Sequence, residues 1–190
     1  MAYLNKIKGF AKTFHKNTLV FPTVSLNKRL VLITGDNGCG KTTYLKCISG
    51  CMATDNGFLK PTHALAIDGA FLPKQLAVKE YLNMLDKFQE KRHLLNELTK
   101  HFDVDGFLNK HIKRLSCGMA QRVALVSAFM ITDKPLLLDE PMRGLDSVYK
   151  TRLIKWLSMT DYHCLIVTHE KSSYLALDCE VHAFESPASL

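Results

Sequence analysis

Eight consecutive residues constrain this chain of 190 more than any others: Gly35-Asp36-Asn37-Gly38-Cys39-Gly40-Lys41-Thr42, with the spacing G-x-x-x-x-G-K-[ST]. They stand between an apolar run, Leu30 to Thr34 (LVLIT), and an amphipathic stretch, Thr42 to Ser49, that stops at Gly50. Strand, turn and helix in that order form the setting a phosphate-binding loop requires. Gly35, Gly38 and Gly40 admit turns closed to other residues and bring consecutive N–H groups round an anion. The helix beginning near Lys41 adds unpaired N–H groups and the positive end of its dipole. Lys41 is expected to reach the β- and γ-phosphates of a nucleotide, and the Thr42 hydroxyl to ligate Mg2+. Asn37, Cys39 and Thr43 belong to the same cradle. A glycine-rich turn with an accidental lysine would not meet all four fixed positions in this setting.

Around this unit, short apolar runs alternate with amphipathic stretches, the pattern of an α/β domain. Leu65 to Ile67, Leu136 to Leu138 and Leu165 to Thr168 join Leu30 to Thr34 as buried parallel strands. Val78, Tyr81, Leu82, Leu85 and Phe88 make one helical stripe, and Tyr149, Leu153, Trp156 and Leu157 another, with Ser147 as N-cap. A third, apolar helix is expected over Val123 to Ile131. The first 27 residues read as short antiparallel strands, and the Lys-, Glu- and Leu-rich stretch from Leu76 to Ile112 reads as helical. Residues 1–190 are thus expected to form a single domain with an inserted helical lobe at about 76–118.

Composition narrows the function classes. With 47% apolar and 23% charged residues the chain is globular in type rather than disordered. No uninterrupted apolar run reaches the roughly 18 residues of a membrane span, and the opening MAYLNKIKGF lacks a signal peptide's apolar block, so a cytoplasmic location is expected. Six cysteines without a C-x-x-C pair read as reduced, mostly buried thiols. Cys47 and Cys51, four apart on the expected helix, read as core residues before a metal pair. The net charge of +7 is uneven: residues 1 to 35 carry six Lys and Arg and no acid. That face suits either an anionic surface, nucleic acid or lipid, or a sheet edge guarded by lysines.

A second polar site lies at Leu136-Leu137-Leu138-Asp139-Glu140, an apolar strand ending in two acids. Asp139 is expected to hold Mg2+ through water, and Glu140 to polarise a water attacking the γ-phosphate. Alone, such a pair is often only a strand terminus. Beside the loop at Gly35 its functional reading is the better one.

Further segments follow in an order that carries a resemblance. Leu115-Ser116-Cys117-Gly118-Met119, followed by Gln121-Arg122, resembles the LSGGQ signature of ATP-binding cassette (ABC) ATPases. Glu140-Pro141-Met142-Arg143-Gly144-Leu145-Asp146 resembles that family's D-loop segment, and His169 its switch histidine. Phe14 resembles the aromatic that stacks on adenine, with Phe10 as the near alternative and a core role open to either. The resemblance implies a P-loop NTPase core with a mainly parallel sheet, a small N-terminal antiparallel β region and an inserted helical lobe. It implies ATP and Mg2+ as ligands, Glu140, His169 and Lys41 as catalytic groups, and Ser116, Gly118 and Asp146 as further nucleotide contacts. It also implies a head-to-tail dimer of cassettes, homo- or heterodimeric, driving a transmembrane permease from the inner face of the cell membrane. Nucleic acid is not the expected partner, although a soluble ATPase on nucleic acid or ribosomes is the alternative, and a weakly hydrolysing regulator a third reading.

Three departures from the family pattern stand out. Counting back from Leu76-Ala77-Val78, the usual Mg2+-contacting glutamine falls on Asp68. Cys117 replaces the first signature glycine and Met119 its glutamine. The S-x-G-M form with E-P-M-x-G-L-D is similar to the drug and bacteriocin exporter branch, so export is the expected direction.

Overall fold

The structure, a computed structural model, describes residues 6–15, 17–60, 64–66, 72–87, 93–130 and 135–185. Four short strands open the chain: β1 (Lys6–Ile7), β2 (Phe10–Phe14), β3 (Asn17–Phe21) and β4 (Val24–Ser25). β1 pairs with β4, and β2 forms a hairpin with β3, both antiparallel. β5 (Leu30–Thr34) leads into α1 (Lys41–Ile48), followed by β6 (Ala64–Ala66), α2 (Val78–Asp86) and α3 (His93–His101). Then come α4 (Cys117–Phe129), β7 (Leu136–Asp139), α5 (Ser147–Met159), β8 (Cys164–Val167) and β9 (Cys179–Ala183).

Strands β6, β7, β8, β5 and β9 lie side by side in that order, every pair parallel. Side chains alternate across a strand, so a parallel strand covered on both faces must be apolar throughout. LVLIT meets that demand: Leu30 and Leu32 enter one core cluster, Val31 and Ile33 the other. Leu136 and Leu138 against Leu137, and Ile166 against Leu165 and Val167, divide in the same way. Each such burial contributes about 1.5–3 kcal/mol, which fixes the register of the central strands.

The first cluster runs from the sheet through α4 and α5 into Leu82, Leu98, Phe102 and Phe107. The second joins the sheet to α1 and the N-terminal strands. There Tyr44 stacks on Phe10 with centroids 5.4 Å apart and meets the rings of Phe21 and Phe184. These aromatics fasten the antiparallel region onto the helix behind the phosphate loop.

Several expectations need correction. β9 was not foreseen, because CEVHA, with only half-buried and exposed positions at the edge of the sheet, lacks a continuous apolar run. α4 begins at Cys117, six residues before Val123, since Ser116 caps it there by accepting from the Met119 N–H at 3.2 Å. Asp146, not Ser147, caps α5: its carboxylate accepts from the N–H groups of Val148 (3.0 Å) and Tyr149 (3.1 Å). Cys51 lies beyond the end of α1 and is exposed, whereas Cys47 is buried, so the two do not share a helix face. Of the six free thiols, Cys39, Cys47 and Cys164 are buried. Phe88, Ile131 and Asp68 lie outside the described residues.

Candidate functional site

The site grows from one row of the sheet. Ile33 of β5 is level with Val167 of β8, and Val167 with Asp139 of β7. The residues that follow these three, Thr34 and the loop, Thr168 with His169, and Glu140, therefore emerge together at the carboxyl ends of adjacent parallel strands. That edge is where open α/β sheets bind ligands.

The loop owes its shape to its backbone. Gly35 has φ +153°, and a Cβ there would lie 2.4 Å from the Phe184 carbonyl oxygen and 2.8 Å from Cys39 Sγ. Only glycine fits against that wall. Gly40 precedes α1 without a side-chain cap, which leaves the first helical N–H groups to an incoming anion. Lys41 is buried and folds back, its Nζ donating to the carbonyls of Gly35 and Asp36 at 2.8 Å each. Asn37, Gly38 and Thr42 are exposed, Gly40 and Thr43 half-buried, and Cys39 buried. Thr42 and Asp139 offer only oxygen donors, a hydroxyl and a carboxylate, and such hard ligands suit Mg2+.

Glu140 is held differently. Its φ of +46° is a left-handed conformation that a glutamate adopts at some cost, about 1–3 kcal/mol. Its N–H donates to the Val167 carbonyl at 2.9 Å and its own carbonyl accepts from the Arg143 N–H at 2.9 Å. The carboxylate reaches across to the neighbouring strand, with Oε1 2.9 Å from His169 Nδ1 and Oε2 accepting from Thr168 Oγ1 at 3.4 Å. Burial pushes the nearby Tyr174 phenol far above its usual range, and the Glu140 and Glu170 charges push the same way.

The signature-like and D-loop-like segments meet. A Cβ on Gly118 would lie 2.8 Å from the Gly144 carbonyl oxygen, so the start of α4 is pressed against the turn after Glu140. Gln121 Nε2 donates to the Pro141 carbonyl at 3.1 Å. Ser116 is therefore a cap and Gly118 a first-turn residue, rather than both preceding the helix. Phe14 sits at the end of β2, 39% exposed, while Phe10 is buried in the aromatic cluster. Thr13 donates from both its N–H and its hydroxyl to Asp55 at 2.8 Å, which holds that carboxyl below its usual range and pins the strand carrying Phe14.

The model of the ABC transporter family matches residues 23–143, from the strand before the loop to the turn after Glu140. The chain belongs to the ABC transporter family. Its members hydrolyse ATP. A Fe(3+) ions import ATP-binding protein of Mannheimia succiniciproducens is 27% identical over 208 residues, covering 92% of this chain and 57% of that protein. A sulfate/thiosulfate import ATP-binding protein of Bacillus cereus is 29% identical over 172 residues, covering 77% and 48%. The chain thus spans about half the length of these two relatives. A dimeric bacterial ABC transporter cassette shares the fold at TM-score 0.79 and 19% identity, covering 95% of this chain and 94% of that one. Among the described residues no helix is long and apolar enough to cross a membrane.

In this ABC ATPase fold the sheet edge brings together the loop, Asp139, Glu140 and His169, while Phe14 lies on the hairpin β2–β3, which precedes β4, β5 and the loop in the chain. Sequence reasoning missed Thr168, taken there for the last residue of β8, and Glu170. The available signal was a hydroxyl residue and an acid flanking His169 on both sides at a strand's carboxyl end.

Proposed function

We propose that the chain is the ATP-hydrolysing subunit of an ABC transporter, working as a dimer of cassettes with a separate transmembrane permease. The observation that carries this reading is the Glu140 carboxylate, held beside His169 on the same sheet row that launches the phosphate loop. The N–H groups of residues 35–43 bind and orient the phosphates, and Lys41 leaves its two carbonyls to neutralise the β- and γ-oxygens. Thr42 and Asp139 would hold Mg2+, which supplies charge neutralisation at the phosphates when bound. Glu140 takes the proton of the attacking water, and His169 orients Glu140 and the γ-phosphate. Phe14 stacks on the base. Ser116, Gly118 and Asp146 serve the nucleotide held by the partner's loop, because the packed Gly118–Gly144 pair presents them as one surface; a head-to-tail pair satisfies both sites.

The two relatives with named cargo are import proteins, so the exporter-like segments carry no direction for this chain, and the proposal leaves direction to transport assays. By the resemblance Asp68, which lies outside the described residues, falls on the usual glutamine position, where an aspartate would serve either as an oxygen ligand or as a repulsive charge toward the γ-phosphate. Asp68→Gln is expected to preserve or raise turnover; a loss beyond about tenfold would give Asp68 a specific part.

The decisive test is Glu140→Gln. The variant should bind ATP, lose about 10²- to 10⁴-fold in turnover, and run as a nucleotide-dependent dimer on size exclusion. Turnover at the wild-type rate would remove Glu140 as the base. For the transport reading, the tagged chain should be recovered from detergent-extracted membranes of its source with a polytopic membrane protein in stoichiometric amount. Recovery only from the soluble fraction with RNA would overturn it.

A further inference from the structure

One hydroxyl in the strand-end corner has no part in the mechanism above. Thr168 is 1% exposed, and its N–H donates to the Ile33 carbonyl at 3.0 Å, locking it to the strand that leads into the phosphate loop. Its Oγ1 accepts from the Glu170 N–H at 3.0 Å and lies 3.4 Å from Glu140 Oε2. A hydroxyl has one proton to give, and an ionised carboxylate only accepts. With the Glu170 N–H on its lone pair, the Thr168 proton is directed to Glu140.

The consequence is that three consecutive residues answer every polar group Glu140 turns to this side. Val167 takes its N–H, Thr168 one carboxylate oxygen, and His169 the other. Of the two side-chain partners, the His169 side chain is 57% exposed. Thr168 is the buried, fixed one. Glu170 is itself anchored: Lys150 Nζ donates to its two carboxylate oxygens at 2.7 and 2.8 Å. Lys150 lies in the first turn of α5, and its N–H donates to the Asp146 carbonyl at 3.0 Å.

We propose that Thr168 is a positioning residue for Glu140, whose hydroxyl holds Oε2 in one orientation, and that the Glu170–Lys150 pair ties this hydroxyl to the start of α5. The proposal rests on the reading of Glu140 as the base. A flexible glutamate loses rotamer freedom when it must hold one geometry, and a buried donor removes that cost from the reacting state. A turn at residues 168–170 alone would explain why Oγ1 accepts from Glu170, but it gives the hydroxyl proton no destination.

The test is a double-mutant cycle on the full chain, reading steady-state kcat and KM for ATP, single-turnover rates and thermal melting. Thr168→Val should lower kcat about fivefold, the worth of one ordinary hydrogen bond, with KM changed less than about twofold. Thr168→Ser, which keeps the hydroxyl, should recover most of the rate. In the Glu140→Gln background, Thr168→Val should leave the residual single-turnover rate unchanged, because the group it positions is gone. A fivefold loss in that background as well, or failure of serine to rescue, would mean that Thr168 acts through packing and would overturn the proposal. If valine at 168 prevents folding, Lys150→Met probes the same brace from the surface: about a twofold to threefold fall in kcat is expected, and the wild-type rate would overturn the proposal. Thr168→Val at full rate beside a slow Glu140→Gln sinks the positioning role alone. Glu140→Gln at full rate sinks the underlying reading.

Discussion

The phosphate loop and the corner formed by Glu140, Thr168 and His169 lie at the same edge of one sheet, yet they are held in opposite ways. The loop is held mainly by its own segment, with Phe184 as an outside wall: glycines in left-handed backbone, a lysine folded onto its own segment's carbonyls, and a helix start without a side-chain cap. The corner is supported from elsewhere. Glu140 takes a left-handed backbone without being glycine, and its carboxylate bonds run to residues 28 and 29 positions away, just past the end of the neighbouring strand. Behind them Glu170 leans on Lys150 of α5, and α5 is itself clamped to the α3–α4 region through Asp103. A site that must remain open to an anion can be written in eight adjacent residues, because its groups wait for the ligand. A site that must aim one carboxylate needs partners from several elements.

The largest expected break in this contrast comes from the loop's wall. Gly35→Ala places a methyl 2.4 Å from the Phe184 carbonyl and 2.8 Å from Cys39 Sγ in a backbone conformation closed to alanine. Strain and overpacking together should destabilise the chain by about 3 kcal/mol and abolish nucleotide binding. Gly38→Ala is the control within the loop, since φ is +89° but a Cβ there meets nothing within 4 Å. It should cost only the backbone term, about 1 kcal/mol. Denaturant titration of the two variants measures the wall directly, and equal losses would mean that backbone conformation alone, not the approach of Phe184, demands glycine at position 35.

This contrast also explains what the sequence made legible. The loop, its strand and its helix could be read from residues 30–49 because their motif spacing and apolar run are local, although the wall that demands glycine at position 35, the Phe184 carbonyl, lies outside that segment. The row that joins Ile33, Val167 and Asp139 was not readable, since register across parallel strands depends on which faces are covered, and that is settled by tertiary packing. Thr168 passed as a strand residue for the same reason. β9 went unseen because edge strands lack the continuous apolar run that marked the central ones. The misplaced start of α4 has a specific cause: Gly118 weakens the helical pattern but is required there by the carbonyl of Gly144. Asp146 and Ser147 are both good caps in isolation, and only the geometry of the turn chooses the aspartate.

A smaller effect is expected where the corner passes into α5. Asp146→Ala removes the acceptor for two N–H groups at the helix start and should cost about 1 kcal/mol in equilibrium unfolding, whereas Ser147→Ala should change stability by no more than a few tenths. The reverse ranking would return the cap to Ser147 and loosen the argument that the Glu140 turn is tied to α5.

The smallest effect tests the outer support. Asp103 accepts from Arg152 at 2.8 Å and from the Tyr149 hydroxyl at 3.1 Å, while Arg122 lies over the Tyr149 ring and donates to the Phe102 and Asp103 carbonyls. The Arg152 hydrogen bond, with help from Tyr149, holds the Asp103 carboxyl below its ordinary 3.8. A carboxyl lowered by folding stabilises the native state at pH above its unfolded value, because the unfolded chain then binds the proton first on acidification. The gain is complete near neutrality and is lost as pH falls through the lowered value. With both partners substantially exposed, it amounts to about 0.5 kcal/mol. Asp103→Asn should therefore lower the melting temperature slightly at neutral pH, by an amount that shrinks as the pH falls below the ordinary 3.8 and through the lowered value. Nucleotide affinity should not follow, because the loop does not draw on this clamp. If affinity fell together with stability, the phosphate loop would depend on the same outer support as the corner, and the division between a self-held and a supported half of the site would fail.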